Sequence, residues 1–129
     1  MTAKNEPNVK HDIKGKIFRI KSDGPFGEDA GKAIETLVKK GLGEGYTDFL
    51  IDFGGTKAIS SPAVAAILNS TEEIVDVHSG RVVLTGLTEL NVKVFEMVGI
   101  LLFAEIAPSA EEAEESLVKN LIKTKGPLN

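Results

Sequence analysis

The chain has 129 residues, 42% hydrophobic and 26% charged, with 13 glycines; that is enough for one core-forming domain, too little for two, and unlike a disordered or fibrous chain. Fifteen basic against nineteen acidic residues leave a formal charge of −4 with no large block of either sign, which argues against nucleic acid as a partner. With no cysteine and two histidines there is no disulfide or thiolate chemistry and little to build a metal centre from, so no metal or cofactor is expected.

The opening residues carry no apolar leader, and no run approaches the ~20 apolar residues of a membrane span. The expectation is a cytoplasmic protein. Residues 1–14 are polar, aperiodic and contain Pro7, and are read as a flexible lead-in to a domain at 15–124, with a short tail at 125–129. Lys16-Ile-Phe-Arg-Ile predicts the first strand, ended by the turn chemistry of Ser22-Asp-Gly-Pro. Ala30, Ala33, Ile34, Leu37 and Val38 then recur at helical spacing, giving a first helix over 28–41.

Phe49-Leu-Ile-Asp-Phe is a short apolar run between polar and glycine-rich flanks, the pattern of a central strand covered on both faces. Ser60-Ser61-Pro62 pairs a serine N-cap with a first-turn proline and starts a second helix that runs to about His78. Ser61 is the expected cap. Val64, Ile67, Leu68, Thr71, Ile74 and Val75 form its inward stripe, and Ala63, Ala65 and Ala66 keep its first turns small enough for another surface to approach. Arg81-Val-Val-Leu-Thr is the next strand. Thr88 caps a third helix expected to turn Leu90, Val94, Phe95 and Val98 inward, leaving Met97 and Leu101 off the stripe. Phe103-Ala-Glu-Ile reads as a last strand, and Ser109-Ala-Glu-Glu as the capping box of a helix with Ala113, Leu117, Leu121 and Ile122 inward. Alternating strands and helices predict an α/β domain with four or five strands in a mixed, largely parallel sheet and about four helices packed on it.

Three motifs fail. Gly27-Glu-Asp-Ala-Gly-Lys is one residue too short between its glycines for a phosphate-binding loop, and Ala33 stands where a hydroxyl is required. Asp52-Phe53-Gly54 has the letters of the kinase metal-binding triplet without the catalytic loop. His78 before a terminating glycine suits a helix C-terminus. Nothing points to an enzyme.

The run from Phe49 through Gly54-Gly55-Thr56-Lys57-Ala58-Ile59-Ser60-Ser61-Pro62 to Leu68 resembles the strand, loop and helix start of STAS domains, the family of sulfate-transporter cytoplasmic domains and anti-sigma-factor antagonists. Gly80 to Leu87, Val92 to Ile100, and Phe103 to Ala113 resemble the following elements in order, so that the similarity spans residues 14–122. The resemblance implies a non-enzymatic regulatory module that binds an anti-sigma factor or serine kinase, is switched by serine phosphorylation at the start of helix two, and is reset by a serine phosphatase.

Aligned to the family loop, Ser60 occupies the aspartate position, Ser61 the first hydroxyl, Pro62 the second and Ala63 the glycine. Ser61 is therefore the first phosphorylation candidate and Ser60 the second. The implied partner surface comprises Gly24 and Phe26 before helix one, Thr56, Lys57 and Pro62 in the loop, Ala63, Ala65, Ala66 and Asn69 on helix two, and Met97 and Leu101. Loss of the aspartate keeps open an unregulated scaffold or transport-accessory subunit, with a nucleotide or small-molecule sensor as a further alternative. Partner identity and oligomeric state stay open.

Overall fold

The computed structural model describes residues 8–125, with side chains to residue 119. Its first element is one the sequence pattern hid. Asn8–Lys14 forms β1, which pairs antiparallel with β2 (Ile17–Asp23) through the two-residue turn Gly15-Lys16. Gly15 sits at φ 62°, a conformation that costs glycine little and closes a hairpin in two residues. Residues 8–14 of the predicted lead-in are therefore a strand of the sheet; residues 1–7 lie outside the described residues. β1 escaped notice because it is an edge strand, exposed along most of its length, with one inward row built from Val9, His11 and Ile13. His11 stacks on Phe18, ring centroids 4.9 Å apart.

The remaining elements alternate as predicted: α1 (Glu28–Gly43), β3 (Asp48–Gly55), α2 (Ser61–Glu72), β4 (Arg81–Thr85), α3 (Glu89–Met97), β5 (Glu105–Ala107) and α4 (Ala110–Lys125). The sheet order is β1-β2-β3-β4-β5, parallel throughout apart from the β1 edge. Period-2 alternation sends Phe18, Ile20, Phe49, Ile51, Phe53, Val82 and Leu84 into one core with α1, α2 and α3, while Ile17, Leu50, Val83 and Ala107 face α4 on the other side. This double cover explains the unbroken apolar run of β3.

Two helices differ from their predicted faces. α2 buries Ala63, Ala66 and Ser70 besides the predicted Val64, Ile67 and Thr71, because it packs on α1 as well as on the sheet. A Cβ on Gly31 of α1 would lie 2.9 Å from Ala66 Cβ and 3.1 Å from Ala63 Cα. The small residues thus admit the protein's own first helix. The chain then leaves α-geometry in a π-turn over Glu73–Val77, ahead of Gly80, where a Cβ would collide with the carbonyl of Thr47. α3 is rotated from its predicted face: Asn91 and Phe95 are buried, Val94 is half-buried, and Leu90 and Val98 point outward. The last strand starts two residues later than predicted, since Ile100–Leu102 forms a 3₁₀ turn. Ala113 and Leu117 are buried as expected, and Ser109 Oγ accepts from the Glu112 amide at 3.1 Å. The side chains of Leu121 and Ile122 lie outside the described residues, as does the tail from residue 126.

Candidate functional site

The loop between β3 and α2 is fixed from below by polar contacts. Thr56 is buried; its Oγ1 lies 3.3 Å from Ser22 Oγ and donates to the Ser22 carbonyl at 3.3 Å, while its amide donates to Phe53 O at 2.8 Å. Asp52 Oδ1 accepts from the Gly54 amide at 2.8 Å. The Gly24 amide donates to Gly55 O at 2.9 Å and the Ser60 amide to Phe26 O at 3.0 Å, so the loops after β2 and β3 run side by side. From α3, the buried amide of Asn91 donates through Nδ2 to the Lys57 carbonyl at 3.0 Å. A loop this heavily bonded presents its outer groups in one arrangement.

Ser60, not Ser61, caps α2. Ser60 is extended (φ −77°, ψ 162°), and its Oγ accepts from the Ala63 amide at 3.4 Å, while Ser60 O accepts from the Val64 amide at 2.9 Å. The predicted cap is displaced by one residue, which places Pro62 second in the helix, where its missing N–H is equally harmless. Ser61 is the first helical residue, exposed, and among the described residues its hydroxyl has no hydrogen-bond partner. The first turn of α2 contains no acidic side chain, so its helix-dipole charge is not offset there.

The predicted surface residues divide by burial. Lys57, Ser60, Ser61, Pro62, Ala65 and Asn69 are exposed, and the 61/65/69 spacing lines up one outward stripe of α2. Gly24, Lys57 and Ser60 share a groove of about 570 Å³ with Gly55, Ala58 and Ile59 at the carboxyl ends of β2 and β3. Phe26 reaches the groove's edge but is buried against Phe53, ring centroids 5.4 Å apart. The side chains of Phe26, Thr56, Ala63 and Ala66 are buried, committed to the core, to the loop or to α1. Leu101 is half-buried against the core, whereas Met97 is 84% exposed, and Leu90 and Leu102 are 69% and 84% exposed.

Met97 lies six residues along α3 from Asn91, about 9 Å at the helical rise, and no α3 residue lines the groove among the described residues. Sequence reasoning missed Asn91. Its signal was the four-residue spacing to Phe95, which marks the inward face once Leu90 is released from it.

No protein-family model matches the sequence, and no curated protein does either. The fold, however, recurs in solved structures. A phosphorylated SpoIIAA, described as a Bacillus cell fate determinant, superposes with a TM-score of 0.69 at 20% identity, over 84% of this chain and 98% of its own. A serine-to-glutamate variant of RsbS from Moorella thermoacetica gives 0.75 at 15% identity, over 89% and 97%. An anti-sigma factor antagonist from Mycobacterium paratuberculosis gives 0.74 at 10% identity, over 91% and 98%. The chain has the SpoIIAA-like STAS fold, in agreement with the resemblance of its motifs.

Proposed function

We propose that the protein is an anti-sigma-factor antagonist: a non-enzymatic binding module that docks a serine kinase or anti-sigma partner on the 56–62 loop and the outward stripe of α2, and releases it when Ser61 is phosphorylated. The observation that carries the reading is the state of Ser61, an exposed hydroxyl with no structural task at a helix N-terminus, next to an open groove. Structural neighbours named as anti-sigma factor antagonists support it, and SpoIIAA, one of them, is also seen in a phosphorylated form.

A phosphoryl group on Ser61 brings about −1.5 to −2 charges to the positive end of α2, worth roughly 0.3–1 kcal/mol in favour of the fold. A partner seated there meets that charge across a desolvated contact at a cost of several kcal/mol, each ~1.4 of which is tenfold in affinity. The modification therefore acts on the complex and spares the domain. The module works in the cytoplasm, with a serine phosphatase restoring the free hydroxyl; among the described residues no helix is long and apolar enough to cross a membrane.

Ser60 in the family's aspartate position favours one other reading, an unregulated scaffold of the same fold. Binding of the anti-sigma kinase to wild-type, Ser61→Ala and Ser61→Asp chains separates the two. The switch predicts that Ser61→Ala binds as wild type and Ser61→Asp at least tenfold more weakly; equal affinities would leave the scaffold.

A further inference from the structure

The sheet ends in two unlike edges. β5 is three residues long and its Glu105 is paired with Arg81, a short and guarded edge. β1 runs for seven residues in unbroken register with β2, without proline or bulge, and is exposed at every position but the half-buried Val9. Among the described residues no strand covers its far side. The two-residue turn at Gly15-Lys16 makes Lys14 and Ile17 a hydrogen-bonded pair. By alternation the backbone groups of Asn8, Lys10, Asp12 and Lys14 face β2, and the N–H and C=O groups of Val9, His11 and Ile13 face outward in one row.

The side chains along that row are complementary to themselves. A second copy laid antiparallel against it bonds only where outward-facing residues meet, which confines it to registers two residues apart. In the register centred on His11, Val9 lies opposite Ile13 of the second copy, Lys10 opposite Asp12 and Asn8 opposite Lys14, each pair repeated by the two-fold axis. Apolar meets apolar, cation meets anion, and every outward N–H and C=O of the row finds a partner. Either neighbouring register sets Lys10 against Lys10 or Asp12 against Asp12, and like charges directly opposite are unfavourable. The charges that guard this edge against other strands therefore select one pairing with itself. Lys10 has no ion-pair partner among the described residues, whereas Lys14 is held by Glu114. Asp12 pairs with Arg19 yet keeps 59% of its side chain exposed, open to a second cation.

We propose that the protein forms a two-fold dimer through this edge, β1 against β1 in the His11-centred register, joining two five-stranded sheets into one continuous sheet. The proposal is independent of the reading of Ser61. One strand pair is a small interface, at the low end of the sizes that hold proteins together, so the dimer dissociates on dilution.

Sedimentation equilibrium of the full chain from about 10 μM to about 1 mM tests this. The dimer predicts a weight-average mass that rises with concentration from that of one chain toward that of two. Lys10→Glu turns both cross-strand ion pairs into like-charge pairs and weakens association roughly tenfold or more, and Asp12→Lys does the same from the other side. An equal mixture of the two variants restores association, because each copy then offers the charge that the other lacks. A chain that stays monomeric over the whole range, Lys10→Glu that associates as tightly as wild type, or a mixture no tighter than either variant alone overturns the proposal. Should Asp12→Lys fail to fold for want of its Arg19 contact, Lys10→Glu decides alone by the same criterion, since Lys10 is exposed and unpaired among the described residues.

Discussion

Ser60 and Ser61 are adjacent hydroxyls with separate work. Ser60 spends its oxygen on the Ala63 amide, at a distance of 3.4 Å that puts the bond toward the weak end of capping interactions. Ser60→Ala is therefore expected to cost about 0.5–1 kcal/mol in urea unfolding, and Ser61→Ala to stay within about 0.5 kcal/mol of wild type. A larger loss at Ser61 would mean that its hydroxyl is structural. The sequence marked the helix start correctly but not which serine closes it, since Ser-Ser-Pro satisfies the N-cap pattern in two registers and only the backbone angles choose between them.

Close approach of α1 and α2 makes Gly31 the sharpest test at the level of elements. Alanine there would ordinarily gain about 0.5–1 kcal/mol in a helix interior. With Ala66 Cβ 2.9 Å and Ala63 Cα 3.1 Å from the added methyl, overpacking of roughly 1–3 kcal/mol outweighs that gain. Gly31→Ala should lower stability by about 1 kcal/mol, read from the denaturation midpoint at unchanged m-value; a rise would show that the helices separate freely.

Met97, off the inward stripe of α3 in the sequence pattern, lies outside the core. Met97→Gln is expected to leave stability within about 0.5 kcal/mol and to weaken partner binding. Helical periodicity had located α3 but not its face, because Leu90 and Phe95 define competing stripes and the choice is made by the Asn91 bond to the Lys57 carbonyl.

The pairing of Glu114 on α4 with Lys14 and Arg19 sets a pH dependence. Hydrogen bonds from Lys14 and then Arg19 hold Glu114 below its ordinary 4.5, and the Arg19 hydrogen bond holds Asp12 below 3.8. Lowered folded-state values contribute stability that is complete above the ordinary values and lost as pH falls through the lowered ones. Asp48, beside Arg81 and Lys16, is raised by burial and acts in the opposite sense, so its protonation comes first on acidification and relieves strain. The stability gap between wild type and Glu114→Gln should be constant from about pH 8 to about pH 6 and shrink below about pH 4.5, as followed by unfolding at each pH. A gap that closes near neutrality would contradict this.

At the scale of the molecule, the alternation of apolar strands and amphipathic helices carried the architecture. Phe49 to Phe53 could only be a strand buried on both faces, and the ordered motifs around it named the fold. The β1 edge stayed hidden because its inward row, Val9, His11 and Ile13, is too polar and too exposed to register as hydrophobic. The candidate site was legible in part: the chain order located the loop between β3 and α2, but not that the side chains of Phe26, Thr56, Ala63 and Ala66 are buried, because side-chain direction depends on which neighbour each residue meets. What remains exposed there is one hydroxyl-bearing helix entrance.

The central claim is that charge at this entrance governs association, and phosphate mapping tests it most directly. The chain is incubated with its cognate serine kinase and ATP, then analysed by intact mass and peptide mapping. The account predicts one phosphoryl group on Ser61 and loss of the kinase complex as it accumulates. Ser60 and Ser61 both unmodified beside a demonstrably active kinase, or a modified chain that still holds its partner, would contradict it.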